Sequence, residues 1–189
     1  MQITGYHGTS VDNANNIVSN GFTISAGDEH WIGDGIYFFI KGLFKNPDES
    51  AKKWAIANSW DNDSKKHKYS NYGTIEANIS IDEDTFWDLT SSDGIETFNY
   101  LRDKYVEAIS KAGKRLKDKD FKDGHIINKA VNDGFFSPSA IKADFYIKFT
   151  TERIFTINFR IPNCTILALR NNNCIEKERL KIKDKGQIQ

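Results

Sequence analysis

Charge of one sign is missing from this chain. Twenty-six Lys and Arg stand against 26 Asp and Glu in 189 residues, for a formal net charge of zero. A domain that holds nucleic acid through its overall field carries a strong basic excess, so bulk charge points to no such partner and leaves only local patches. Cysteine is nearly absent as well. Cys164 and Cys174 have no His or Cys companions at metal-ligand spacing, so no zinc or other metal site is expected, and one pair does not make a disulfide scaffold. No apolar run approaches the roughly 18 residues of a membrane span, and no charged-then-apolar leader opens the chain. A cytoplasmic protein without a membrane partner is therefore expected. Proline is scarce, with 3 in all. With no Pro/Gly/Ser linker and no internal repeat, residues 1–189 read as one domain.

What is present is an ordinary core composition, 39% hydrophobic with 13% aromatic residues. "MQITGYHG" predicts a strand over Gln2–Tyr6, followed by a helix capped by Ser10, with Val11, Ala14, Ile17 and Val18 on one face and Gly21 closing it. "GIYFFI" predicts a buried strand, and "NPDESAKKWAIANSW" a helix with Pro47 in its first turn. "DNDSKKHKYSNYG" has no periodicity and reads as an exposed loop before a strand over Thr74–Ile81. Residues 93–112 and Ile126–Asn132 read as helices, joined by the mixed-charge stretch "KAGKRLKDKDFKDG". "ADFYIKFTTERIFTINFRI" and "CTILALR" predict two or three strands. The βα alternation is too irregular for a doubly wound sheet, so the expected class is α+β, with mixed or antiparallel sheets and flanking helices.

Three runs carry candidate chemistry. His7-Gly8 ends the first strand: a histidine there can hydrogen-bond a sugar hydroxyl, and the glycine admits close approach to the backbone. "GDGIYFF" has two glycines but no third, and a strand rather than a helix follows, so it is not a Rossmann fingerprint. It places Tyr37 where its ring could stack on a flat heterocycle. Glu152 heads an otherwise apolar segment, where a carboxylate either faces solvent or works in a polar cleft. Taken singly, each has a plain structural alternative: a turn histidine, a core tyrosine, a solvent-facing acid.

Together they resemble the ADP-ribosyltransferase superfamily, in its His–Tyr–Glu branch of diphtheria-toxin and poly(ADP-ribose)-polymerase type. "YHGTSVDNANNIVSNGF" is similar to that branch's strand, His-Gly-Ser/Thr and helix; "IGDGIYFF" to its Gly-x-Gly-Ile-Tyr-Phe strand; "ESAKKWA" to its Ser-Ala helix; "ERIFTINFRI" to its Glu-led strand. The likeness covers the first 60 residues and roughly the last 40, and residues 61–140 match only loosely.

The resemblance implies an ADP-ribosyltransferase-like split of the sheets, NAD⁺ as co-substrate, and no metal. It implies that His7 bonds the adenosine ribose, and that Gly8, with Thr9 beside it, and Ser50 hold the nicotinamide carboxamide. Tyr37 would stack on the nicotinamide, and Glu152 would bind the nicotinamide ribose and steady the cation formed when the base leaves. Relatives carry an aromatic three residues after the serine; here that position is Lys53, and the aromatic falls at Trp54. Thr150 stands where arginine-modifying members carry a second acid, which disfavours arginine as acceptor. Single transfer is expected, to RNA or DNA or to a protein side chain; hydrolysis of NAD⁺ and a non-catalytic binding module stay open. Lys65, Lys66 and Lys68 interleaved with His67, Tyr69 and Tyr72, and the basic residues Lys111, Lys114, Arg115 and Lys117, lean toward nucleic acid. So compact a transferase suggests an intracellular toxin or defence effector with a neutralising antitoxin.

Overall fold

The computed structural model of the protein describes residues 1–27, 30–115, 117, 120 and 122–188. The connector over 111–124 falls partly outside the described residues.

The first strand outruns its apolar residues: β1 spans Gln2–Ser10 because it pairs along its whole length with β5, Asn71–Ser80. Ser10 then caps α1 (Val11–Asn20), its hydroxyl accepting from the Asn13 N–H, and Gly21 closes the helix at φ 86°. β2 (Ile36–Ile40) follows a turn, and α2 (Pro47–Ser59) begins with Pro47 in its first turn. The predicted loop after α2 instead folds back as a two-stranded ribbon of β3 (Trp60–Asp61) and β4 (Lys66–His67). Downstream lie β6 (Phe86–Asp88), α3 (Ser92–Lys111), α4 (Asp123–Asn132), β7 (Ala140–Phe145), α5 (Thr150–Ile154), β8 (Cys164–Leu169) and β9 (Lys181–Gln187).

The chain is α+β. Seven strands form one mixed sheet in the order β6-β7-β8-β2-β1-β5-β9, parallel only between β6 and β7. Strand alternation divides the core between the two faces. Phe38, Ile40, Leu167 and Leu169 pack with Ile75 and Ile79 on the α1 side. Phe39, Ile166, Ala168 and Ile141 pack with Ala51, Leu101 and Ile127 on the side of α2, α3 and α4. All six residues of β8 are buried, as an interior strand covered on both faces requires. Each large aliphatic or aromatic side chain so placed contributes about 1.5–3 kcal/mol.

One expectation is corrected. Residues 150–154 are not the head of a strand but the helix α5. β7 ends at Phe145 because its partner β8 starts at Cys164, directly opposite. Among the described residues no strand lies beside the intervening segment, so its backbone groups bond locally: Arg153 N–H to Phe149 O and Phe155 N–H to Thr151 O. Thr156, at φ 55°, ends the turn.

Candidate functional site

β1 and β2 part company. Their register holds only at Gly5↔Ile40 and Tyr6↔Phe39, whereas β1 stays on β5 as far as Ser10 and β2 stays on β8 as far as Ile36. The fork begins at His7. There a side chain replaces the missing ladder: His7 Nδ1 lies 2.8 Å from the Tyr37 carbonyl oxygen, which can only accept, so Nδ1 carries the proton. The His7 ring is wedged edge-on between Phe22 and Phe38, and burial holds its pKa below the ordinary histidine value, against the opposing pull of the Tyr37 carbonyl. His7 is thus neutral near pH 7, with Nε2 left as an acceptor.

A cavity of about 470 Å³ occupies the fork, in the size range of small-molecule sites. His7 and Gly8 line it from β1, Tyr37 and Phe39 from β2, and Trp54 from α2, with His30 and Trp31 from the loop before β2. Tyr37 is fixed at both ends: its hydroxyl donates to Gly33 O at 2.6 Å and accepts from Ile32 N–H at 3.1 Å. Burial pushes its pKa up to about 12, so it is a neutral ring with one face toward His30, tilted by 31° at 5.7 Å.

The turn that aims Tyr37 is itself pinned from far along the chain. Gly33 adopts φ 83°, which disfavours any side chain. Asn128 on α4 accepts from Asp34 N–H (2.8 Å) and from Arg170 (3.0 Å) and donates to the Asp34 carboxylate (2.8 Å). Arg170 also donates to Asp34 O at 2.9 Å.

Gly8 has a second reason to be glycine. A Cβ there would lie 1.9 Å from the Ala51 carbonyl oxygen, so the α2 backbone packs directly on this residue. That contact seats the helix carrying Ser50 and Trp54. Ser50 is buried and does not line the cavity; Trp54, one turn later, does, while Lys53 points to solvent. Thr9 lies one residue past the fork, its hydroxyl accepting from Asn13 Nδ2 at 3.4 Å. Glu152, half-buried on α5, is not among the lining residues. Its neighbour Arg153 reaches α2, donating to Ala57 O at 2.5 Å and lying 5.6 Å from the Trp54 ring. The structure therefore brings His7, Gly8 and Tyr37 together around one cavity and leaves Glu152 outside its lining, on a helix that meets α2 through Arg153.

Sequence reasoning missed His30, Trp31, Asn128 and Arg170. The tryptophans either side of β2 were the one available signal. It also overstated the rings of the basic loop. Tyr72 is buried in β5 with its hydroxyl on Asp184, and Tyr69 is half-buried with its hydroxyl on Ala55 O. Only Lys65, Lys66, Lys68 and His67 face solvent there, and the His67 ring sits edge-on to Trp60. Lys111, Lys114, Arg115 and Lys117 are exposed, with Lys111 paired to Glu107 at 2.6 Å. The cysteines are free thiols, Cys164 buried and Cys174 half-buried.

No family profile matches the chain. It is similar to the uncharacterized protein MJ0359 of Methanocaldococcus jannaschii, 33% identical over 92 residues. That match takes in 48% of this chain and spans 38% of the relative's length. Among the described residues no helix is long and apolar enough to cross a membrane.

Proposed function

We propose that this chain is an ADP-ribosyltransferase that uses NAD⁺ as co-substrate and transfers to a macromolecule, nucleic acid rather than protein. The observation that carries the reading is the fork, where His7 is bonded to the backbone of Tyr37 across two parted strands and both line one largely apolar cavity.

In this reading the nicotinamide lies on the Tyr37 ring, with the Gly8 backbone beside its carboxamide. His7 Nε2 accepts from a ribose hydroxyl. The bond between nicotinamide nitrogen and ribose C1′ breaks, and its electron pair leaves with the base, which departs neutral. The positive charge left on the ribose needs a carboxylate beside it; the resemblance gives that role to Glu152, which lies outside the cavity lining and reaches the ribose only when α5 shifts toward it. A lone pair of the acceptor then bonds to C1′, and the acceptor's proton passes to solvent. Water in place of the acceptor would give hydrolysis. A toxin or defence role held in check by an antitoxin is the cellular setting that suits such an activity.

The test is purified protein with NAD⁺ labelled in its adenylate, incubated with cell lysate pretreated with nuclease or with protease. Label lost after nuclease and kept after protease is the expected result. Label kept after nuclease would assign the acceptor to protein. Free ADP-ribose as the sole product would make the chain a glycohydrolase. NAD⁺ left intact would end the transferase reading.

A further inference from the structure

A second cavity, of about 720 Å³, adjoins the first and shares His30, Trp31, Trp54 and Ile147 with it. Its chemistry differs. Lys148 and Arg153 line it, and among the described residues neither has a carboxylate within ion-pairing distance. The Arg153 guanidinium is positioned by two backbone carbonyls, Lys148 O at 2.9 Å and Ala57 O at 2.5 Å, which orient it without neutralising it. Lys122 also lines it, and among the described residues Asp123 is the one acid on the wall.

Two further features point to a ligand. The Tyr146 hydroxyl is buried and lacks a hydrogen-bond partner among the described residues, although Tyr146 lines this cavity. A buried hydroxyl is rarely left so. Trp31, 40% exposed, forms the wall common to both cavities, and Phe155, 70% exposed, lies two residues beyond Arg153. Lys148 and Arg153, with no carboxylate partner among the described residues, beside the partly exposed Trp31 ring match a phosphate attached to a stacking base.

We infer that the second cavity is the acceptor site and takes a phosphate-bearing nucleotide of a single-stranded nucleic acid, the base against Trp31 and the phosphate on Lys148 and Arg153. The inference rests on the transferase reading for the word acceptor, though strand binding is measurable by itself. The shared wall puts the nucleotide next to the ribose that is to be transferred.

Anisotropy of a short fluorescent oligoribonucleotide, without NAD⁺, tests it. The intact chain should bind the strand, more weakly as salt rises. Lys148→Gln and Arg153→Gln should each lower affinity about tenfold, the loss expected of one phosphate contact. Calorimetric NAD⁺ binding should be unchanged in Lys148→Gln, whose residue does not line the first cavity, whereas Arg153→Gln also loses the contact with Trp54 and is judged on strand affinity. Lys148→Gln guards against misfolding of α5, because its side chain makes no bond that holds the helix. Strands with a 5′-phosphate and with a 5′-hydroxyl distinguish a terminal from an internal phosphate. Strand affinity indifferent to both substitutions would overturn the inference, as would complete displacement of the strand by an equal concentration of free mononucleotide. Failure of NAD⁺ to bind, with strand binding still dependent on Lys148 and Arg153, would instead remove the transferase reading and leave a nucleic-acid site.

Discussion

His7 Nδ1 bonds to the carbonyl oxygen of Tyr37 at 2.8 Å, joining two strands at the point where their own ladder has stopped. The bond fixes the tautomer of one residue and the backbone of the other. His7→Ala should therefore lower stability by about 1–3 kcal/mol, the penalty for leaving a partly buried carbonyl unpaired. It should also weaken NAD⁺ binding at least tenfold. Urea denaturation and calorimetry check the two effects. Stability lost with NAD⁺ affinity intact would make His7 a structural bolt and nothing more.

The same histidine predicts a pH dependence. Its folded-state pKa is depressed by burial, so as pH falls the unfolded chain takes up its proton first, near about pH 6.5. The unfolded state then binds more protons, and stability declines. His7's contribution is complete above the unfolded pKa and is lost as pH falls through the folded one, at no more than about 1.4 kcal/mol per pH unit. The carboxylates held down by lysines, Glu76 with Lys181 and Lys183 and Asp184 with Lys52, lose their contribution only below the ordinary carboxylate range. Urea midpoints for the parent and His7→Gln between about pH 5 and pH 7 should thus diverge, with the parent falling more steeply. Parallel curves would show that His7 takes up its proton equally in both states.

Gly8→Ala drives a methyl to 1.9 Å from the Ala51 carbonyl oxygen, so helix and strand must separate. A loss at the upper end of about 1–3 kcal/mol is expected, together with disturbance of Trp54. Gly113→Ala is the comparison: among the described residues nothing lies within 4 Å of a Cβ there, and its φ of 63° is what opposes the change. Denaturant midpoints should place Gly8→Ala well below Gly113→Ala. Equal midpoints would mean that α2 is not seated on Gly8.

Asn128 touches no part of the cavity, yet it holds the turn before Tyr37 through Asp34. Asn128→Ala should cost about 1–3 kcal/mol in stability and also reduce NAD⁺ affinity. Unchanged affinity in a folded Asn128→Ala protein would show that the turn does not position the ring.

Glu152→Gln preserves shape and removes charge. In the proposed mechanism it should leave NAD⁺ affinity near that of the parent while lowering the rate of nicotinamide release by about 10²–10³. Release within about twofold of the parent would take Glu152 out of the chemistry.

Where local signals governed, the sequence was readable. Ser10 as cap, Gly21 as terminator, Pro47 in a first turn and the apolar runs of β2 and β8 all mark structure within a few residues of themselves. β9 gave no such signal: it is an outer strand whose residues Lys181, Lys183, Asp184 and Lys185 carry charge into solvent. The segment around Glu152 misled for the opposite reason. Its Ile, Phe and Thr residues suit a strand, but among the described residues no strand lies alongside to pair with them, and Ile154, Phe155, Phe159 and Ile161 remain exposed. Asn128 and Arg170 act on Asp34 from 94 and 136 residues away, distances over which no motif reports. At the site, the His-Gly and Gly-x-Gly-Ile-Tyr runs fall on the two sides of the fork, whereas its tryptophan wall became visible only in three dimensions.

The fork is also mechanically lopsided. Tyr37 lies on an interior strand paired residue by residue with β8, so moving it would mean tearing hydrogen bonds through the middle of the sheet. Among the described residues the facing wall, 22–27 with His30 and Trp31, meets the strand side through the isolated Ser25–Gly35 bridge, the Gly27 N–H bond to Asp34 and ring contacts from Phe22 and His30, with no continuous ladder. Whatever enters the cavity therefore meets the Tyr37 side as a fixed anvil, its position set by the sheet and not by the guest.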